Sequence, residues 1–259
     1  MDAITLTQAD TPLRFDDRPL GKRVGLVVLA TDHTSEPDFR RMVASETVGV
    51  YTARIAYANP TTPENLRRMQ PRLEEGAALI LPEEDVDVIV YSCTSASVVM
   101  GDETVEQAIR NAKPDVPVLT PPSAARRGLK AFGARRIAVL TPYTEETARP
   151  MAAYFAGHGF DLARFTVLGL DDDRVMARIT PDSLVQAAVQ ATPDDAEALF
   201  ISCTALRSAQ VARQIEEAIG RPVVTSNQAT AWAALRLCGD DRPRPEFGRL
   251  MTLPLPEVA

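Results

Sequence analysis

The segment VDVIVYSCTSAS (Val86–Ser97) returns later in the chain as AEALFISCTALR (Ala196–Arg207). Each is an apolar run that ends in Ser-Cys-Thr. The two cysteines, Cys93 and Cys203, lie 203 − 93 = 110 positions apart in a chain that has three cysteines in 259 residues. An apolar run of this length, rich in β-branched residues and followed by small polar residues, reads as a buried parallel strand opening into a loop. Two such runs with the same ending point to an internal duplication.

The surrounding sequence repeats on nearly the same spacing. KRVGLVVLATDHT begins at Lys22 and RRIAVLTPYTEET at Arg135, with Val24 and Ile137 offset by 137 − 24 = 113. Each half then continues with a helix (around 36–45 and 147–157) and a second strand, from Val48 and from Phe160. An amphipathic helix follows (63–81 and 181–191), then the Ser-Cys-Thr strand. Thr62 and Thr180 stand as N-caps before Pro63 and Pro181. A further helix and a fourth strand, from Val116 and from Arg221, close each half. Strand and helix alternate throughout, which predicts parallel sheet covered by helices. The expected fold is therefore α/β, with two pseudo-symmetric, open, Rossmann-like parallel-sheet domains and the active site in the cleft between them. Residues 1–121 form the first half and 122–228 the second, with 229–259 packing back onto the first. The helix around 124–132 is expected to cross forward in the same way. Beyond Asp240 the proline-rich end reads as a surface tail.

Composition narrows the function. A net charge of −7 argues against a general nucleic-acid binder, which needs a basic face. No apolar run reaches the length of a membrane helix. The polar, acidic start MDAITLTQADTPLRFDD lacks the pattern of a secretory leader, so the expected location is cytoplasmic. An odd number of cysteines without an export signal reads as free thiols. The Ser-Cys-Thr sites have no Cys-x-x-Cys spacing, and no metal site is expected. Cys238, on the apolar stretch WAALRLC, reads as a packing residue.

In open parallel sheets the ligand crevice lies at the carboxyl ends of the strands, where both Ser-Cys-Thr cysteines sit. A single cysteine beside an apolar strand is usually a small core residue. A matched pair is better read as chemistry. Each is expected to stand at a strand-to-helix turn, where backbone N–H groups and the helix dipole favour thiolate. Two thiols facing one cleft can remove a proton from one face of a carbon and deliver one to the other. Backbone N–H groups after each cysteine, with Thr94, Ser95 and Thr204, would hold a substrate carboxylate and stabilise enolate-like charge.

These features resemble the aspartate/glutamate racemase superfamily, from about Arg23 to Leu237. Within it, LVVLATDHTSEPDF, RIAYANPTTPENL, YSCTSASVV, LTPYTEET and ISCTALR are similar to the maleate isomerase branch, and most of all to the ectoine-utilisation (EutA) family in that branch. The resemblance implies that Cys93 and Cys203 are the catalytic pair and that no cofactor is needed. It places Asp32 and Asp173 where the branch carries carboxylate-binding asparagines, and matches Tyr143 to a tyrosine that touches substrate. Asparagine donates to a carboxylate, whereas ionised aspartate only accepts. The expected activity is a two-cysteine racemase or epimerase acting on a small amino-acid-like carboxylate in ectoine or hydroxyectoine degradation. The alternatives are a maleate-type cis-trans isomerase, an arylmalonate-type decarboxylase, or a module that binds without turnover. The other readings of the supporting residues are ordinary ones: Asp32 as a helix cap, His33 as a solvated loop residue, 171–173 as an acidic turn, Tyr143 as a cover for the core edge. The expected partners are a small-molecule carboxylate and further copies of the chain in a symmetric homo-oligomer.

Overall fold

The computed structural model describes residues 4–256. Residues 1–3, at the start of the expected first half, and 257–259, in the end segment expected to pack back onto it, lie outside that range. The first repeat of elements, which runs past the boundary expected at residue 121, is β1 (Lys22–Leu29), α1 (Ser35–Met42), β2 (Val48–Ile55), α2 (Pro63–Arg67), α3 (Leu73–Ala78), β3 (Val88–Ser92), α4 (Thr94–Met100), α5 (Asp102–Ala112), β4 (Val118–Leu119) and α6 (Pro121–Ala131). The second runs β5 (Arg136–Tyr143), α7 (Glu145–Gly157), β6 (Asp161–Leu170), α8 (Asp173–Met176), α9 (Pro181–Ala191), β7 (Ala198–Ile201), α10 (Ala212–Ile219), β8 (Val223–Thr225) and α11 (Ser226–Leu237).

The strands form two four-stranded sheets, ordered β2-β1-β3-β4 and β6-β5-β7-β8, with every neighbouring pair parallel. The second order is the first with four added to each strand number, so the duplication read from Ser-Cys-Thr extends to topology. The inner strands read as continuous apolar runs because helices cover both faces of each sheet. Val24 to Leu29 in β1 and all of β3 and β7 are buried. On one face α3 lies so close that a Cβ at Gly76 would stand 2.6 Å from Cγ2 of Ile55.

The halves are joined by two matched helices. Thr120 and Thr225 each close a capping box, and α6 and α11 begin there. These two helices pack against one another; α11 also lies on α1, β3 and β4, and α6 on β7 and β8. Residues Ser226 to Arg236 of α11 are all buried. The helix is buried around its whole circumference, with Ser226, Asn227, Gln228, Thr230 and Arg236 among the buried residues, and so belongs to the interior. Among the described residues no helix is long and apolar enough to cross a membrane.

Three sequence expectations require correction. The helix expected over 63–81 is broken into α2, a 3-10 turn at Gln70–Arg72, and α3. Pro71 has no N–H to continue the α-helical ladder. The segment after Asp240 is not a surface tail. Leu250 and Met251 are fully buried, Trp232 Nε1 donates to the Leu253 carbonyl at 2.8 Å, and Arg236 Nη2 donates to the Met251 carbonyl at 2.8 Å. Its prolines set an irregular path that composition alone made look solvated. Finally, Cys203 is not at a helix start: a turn and a short 3-10 segment, Arg207–Gln210, follow it.

Candidate active site

The loops at the carboxyl ends of the strands meet around a narrow pocket with a free volume of about 20 Å3. Cys93 and Cys203 both line it, together with Asp32, Ser95, Tyr143 and Asp173. Asp32, in the loop after β1, and Tyr143, the last residue of β5, lie at the carboxyl ends of equivalent strands, so the internal symmetry extends to the cavity wall.

Each thiol is seated by its own turn. Cys93 follows β3 directly and precedes α4, its carbonyl accepting the Ser97 N–H at 3.1 Å and the Ser97 hydroxyl at 2.7 Å. Its Sγ lies 3.9 Å from Ser95 Oγ. Cys203 has φ of +97°, a region that L-residues rarely adopt. Its N–H donates to Ser226 Oγ at 3.1 Å, and the Ala205 N–H donates to its Sγ at 3.4 Å. Strain of this kind costs roughly 1–3 kcal/mol and gathers at functional sites. The replacement Cys203→Gly is accordingly expected to be at least as stable as Cys203→Ala, although glycine normally costs about 0.5–1 kcal/mol more than alanine. Chemical denaturation of the two variants measures that order, and a clearly less stable glycine variant would contradict it.

The supporting residues divide into those that face the cavity and those that are spent elsewhere. The Asp32 carboxylate accepts the N–H groups of Thr34 (2.9 Å) and Ser35 (2.8 Å) and the Ser35 hydroxyl (2.7 Å). It therefore organises the start of α1 while lining the cavity. Ser35 Oγ in turn meets Ser92 Oγ at 2.7 Å, which ties that loop to the residue before Cys93. Burial raises the Asp32 pKa despite these bonds. Asp173, at the start of α8, accepts from the Thr31 hydroxyl and from the Asn59 amide at 2.7 Å. Its neighbour Asp172 caps α8 and pairs with Arg174, and Asp171 is exposed. The acidic run is thus a solvated turn at one end and a cavity wall at the other. Thr204 lines the cavity, but its hydroxyl donates to the Ser92 carbonyl at 3.2 Å. Thr94 is absent from the cavity wall; its hydroxyl meets Ser226 Oγ at 2.8 Å. Both threonine hydroxyls bind the halves together, which leaves neither free to hold a carboxylate as the sequence suggested. His33 is exposed outside the cavity.

Sequence reasoning missed the residues that cover the cavity. Tyr57 and Thr61 line it, with the Tyr57 hydroxyl on Thr61 Oγ1 at 2.8 Å. The Thr61 N–H donates to the Asp171 carbonyl at 2.6 Å, and the Thr147 hydroxyl donates to the Thr61 carbonyl at 2.7 Å. The loop after β2 thereby reaches across to the second half. Its segment, RIAYANPTTPENL, was among the resembling stretches, so a signal was present without a partner to interpret it. Met176 was also missed; its Sδ lies 4.0 Å from Cys203 Sγ.

The expectation of low-pKa thiols is overturned. Burial pushes Cys93 up to about 11 and Cys203 up to about 12, and the Asp173 carboxylate adds to both. The Ala96 N–H and Ser95 hydroxyl at Cys93, and Tyr143 and the Ala205 N–H at Cys203, act in the opposite sense and do not offset desolvation. Burial disfavours the charged form, and for a thiol that form is the deprotonated one. Alkylation of Cys93 in the ligand-free protein is therefore expected to rise about tenfold per pH unit from neutrality, without a plateau near the ordinary thiol value of ~8.5. Mass-spectrometric labelling against pH checks this; a plateau at or below that value would contradict it. Tyr143 is likewise held protonated by burial, so its phenol is a donor.

With this geometry in view, comparison with known proteins defines the class. The arylmalonate decarboxylase family model matches residues 51–251, most of the chain, and the protein belongs to that family. The arylmalonate decarboxylase of Bordetella bronchiseptica is 33% identical over 138 residues, 52% of this chain and 58% of that protein. The crystal structure of a Pseudomonas putida maleate isomerase with maleate superposes with a TM-score of 0.80 at 26% identity, covering 89% of this chain and 97% of that one. A Nocardia farcinica maleate cis-trans isomerase mutant, solved with a covalently bound succinylcysteine intermediate, shares the fold with a TM-score of 0.81 at 24% identity, covering 89% of this chain and 98% of that one.

Proposed function

We propose that the chain is an isomerase of small carboxylates in which Cys93 and Cys203 carry the chemistry without a cofactor. The observation that carries the reading is the convergence of two thiols, from equivalent strand ends, on one pocket. Similarity to maleate isomerases along most of the chain supports cis-trans isomerisation. In that reaction the Cys93 thiolate adds to one alkene carbon while Cys203 gives its proton to the other. Rotation follows about the resulting single bond. Cys203 then takes the proton back, the C–S bond breaks, and both cysteines return to their starting states. A buried, neutral Cys203 is in the donor form this step requires. Cys93 must lose its proton first, which its raised pKa makes the minor state of the resting protein.

A second reading is supported by the two carboxylates, Asp32 and Asp173, in the same wall. In racemisation or epimerisation one thiolate removes the proton from the α-carbon and the opposite thiol supplies one to the other face. This is the activity expected from the resemblance to the ectoine-utilisation family, and a place in ectoine or hydroxyectoine degradation belongs to this reading. Decarboxylation needs a single proton-donating thiol, so the matched pair gives it less support. A cytoplasmic enzyme acting as a symmetric homo-oligomer completes the proposal; all three cysteines are free thiols. Ultraviolet loss of maleate and circular-dichroism loss of an optically pure amino acid separate the two reactions. The absence of both signals would contradict the proposal.

A further inference from the structure

The cavity has an uneven charge. Its wall contains two carboxylates, Asp32 and Asp173, and no lysine, arginine or histidine. The guanidinium that acts on Asp32, that of Arg54, is spent on the carbonyls of Ala30 and Asp32 and on the Glu36 carboxylate. The two acids differ in what they have left to offer. Asp32 already accepts three hydrogen bonds. Each Asp173 side-chain oxygen accepts one, from Thr31 or from Asn59. A carboxylate has about four lone-pair sites, and these two bonds use two of them. Asp173 therefore retains acceptor capacity toward the cavity. Two hydroxyls in the same wall, those of Ser95 and Tyr143, can serve a single carboxylate.

A dicarboxylate brought into this space would meet two buried carboxyl side chains and no cationic side chain in the wall. In a water-poor site that repulsion is large. We infer that the substrate is a small carboxylate bearing a cationic nitrogen, which seats on Asp173, and that Asp173 excludes dicarboxylates. The inference rests on the cavity being the active site; turnover of maleate would contradict it and leave that assignment standing.

A four-carbon series isolates charge: butyrate, 2-aminobutyrate, 2,4-diaminobutyrate and succinate. Two readouts are taken on the full chain, the dissociation constant by calorimetry and the protection of Cys93 and Cys203 from alkylation. The amino compounds are expected to bind at least about tenfold more tightly than butyrate and succinate, and to protect both thiols. Asp173→Asn is expected to erase that preference and bring succinate to parity or better, while Asp173→Glu retains it. Should Asp173→Asn fail to fold, the order of the unmodified protein decides. Succinate binding more tightly than 2-aminobutyrate, with the thiols protected, overturns the charge inference and leaves the site assignment standing. Binding that does not protect the thiols overturns the site assignment and the inference with it. No binding by any member overturns the inference as well.

Discussion

Cys93→Ser is expected to lower turnover by about 10³-fold or more while leaving the fold intact. Serine is close to cysteine in shape, so the surrounding turn should survive: the Ser97 contacts are made to the backbone carbonyl of residue 93, not to its sulfur. What changes is the chemistry. A hydroxyl is a far weaker acid and nucleophile than a thiol, and placed acid–base or nucleophilic groups are each worth about 10²–10⁴-fold. Cys203→Ser should cost a comparable factor, because each reaction considered for the pair needs both partners. The double variant should be little worse than either single one, since groups that act as a unit are not additive. Steady-state kinetics on the three variants measures this. Full activity in either single variant would remove that cysteine from the mechanism.

The largest effect on stability is expected at Trp232. Its ring is fully buried in α11, the helix that joins the two halves, and its indole N–H holds the Leu253 carbonyl of the C-terminal segment at 2.8 Å. Trp232→Ala should destabilise by about 3–5 kcal/mol through lost packing and the cavity left behind. Against a typical total of roughly 5–15 kcal/mol, that is a large share. A fall in Tm of roughly 10 °C is expected for a chain of this size. Because α11 touches β3, β4, α1 and α6, the loss should appear in both halves at once as one cooperative transition. Thermal denaturation followed by circular dichroism tests this. A change below about 1 kcal/mol would mean that α11 does not hold the halves together.

The sequence carried the fold through periodicity and repetition. Parallel strands buried on both faces show as apolar runs, and a duplicated topology shows as the same run twice. Helix caps such as Thr62 and Thr180 were readable because their hydrogen bonds are local: Thr62 Oγ1 accepts the Asn65 N–H at 3.3 Å, and Thr180 Oγ1 the Ser183 N–H at 3.3 Å. What was not readable depends on distant partners. Asn59 reaches Asp173 across 114 positions and Thr31 reaches it across 142, and no local pattern announces either contact. The thiol pKa values failed for a related reason. The favourable backbone donors could be read from the strand ends, but the desolvation that outweighs them appears only when Tyr143, Met176 and the loop after β2 close over the site. The positive φ of Cys203 also has no signature in the residue type, because glycine would be the ordinary choice there.

The central claim is that Cys93 and Cys203 move protons on one small carboxylate within their shared cavity. Proton NMR in D2O tests it most directly, with the purified chain, without added cofactor, incubated with maleate and with single-enantiomer amino acids. The account expects either deuterium at the reacting carbon or conversion of maleate to fumarate, in each case abolished by Cys93→Ser and by Cys203→Ser. Conversion or exchange that persists at the wild-type rate in the double variant would contradict it.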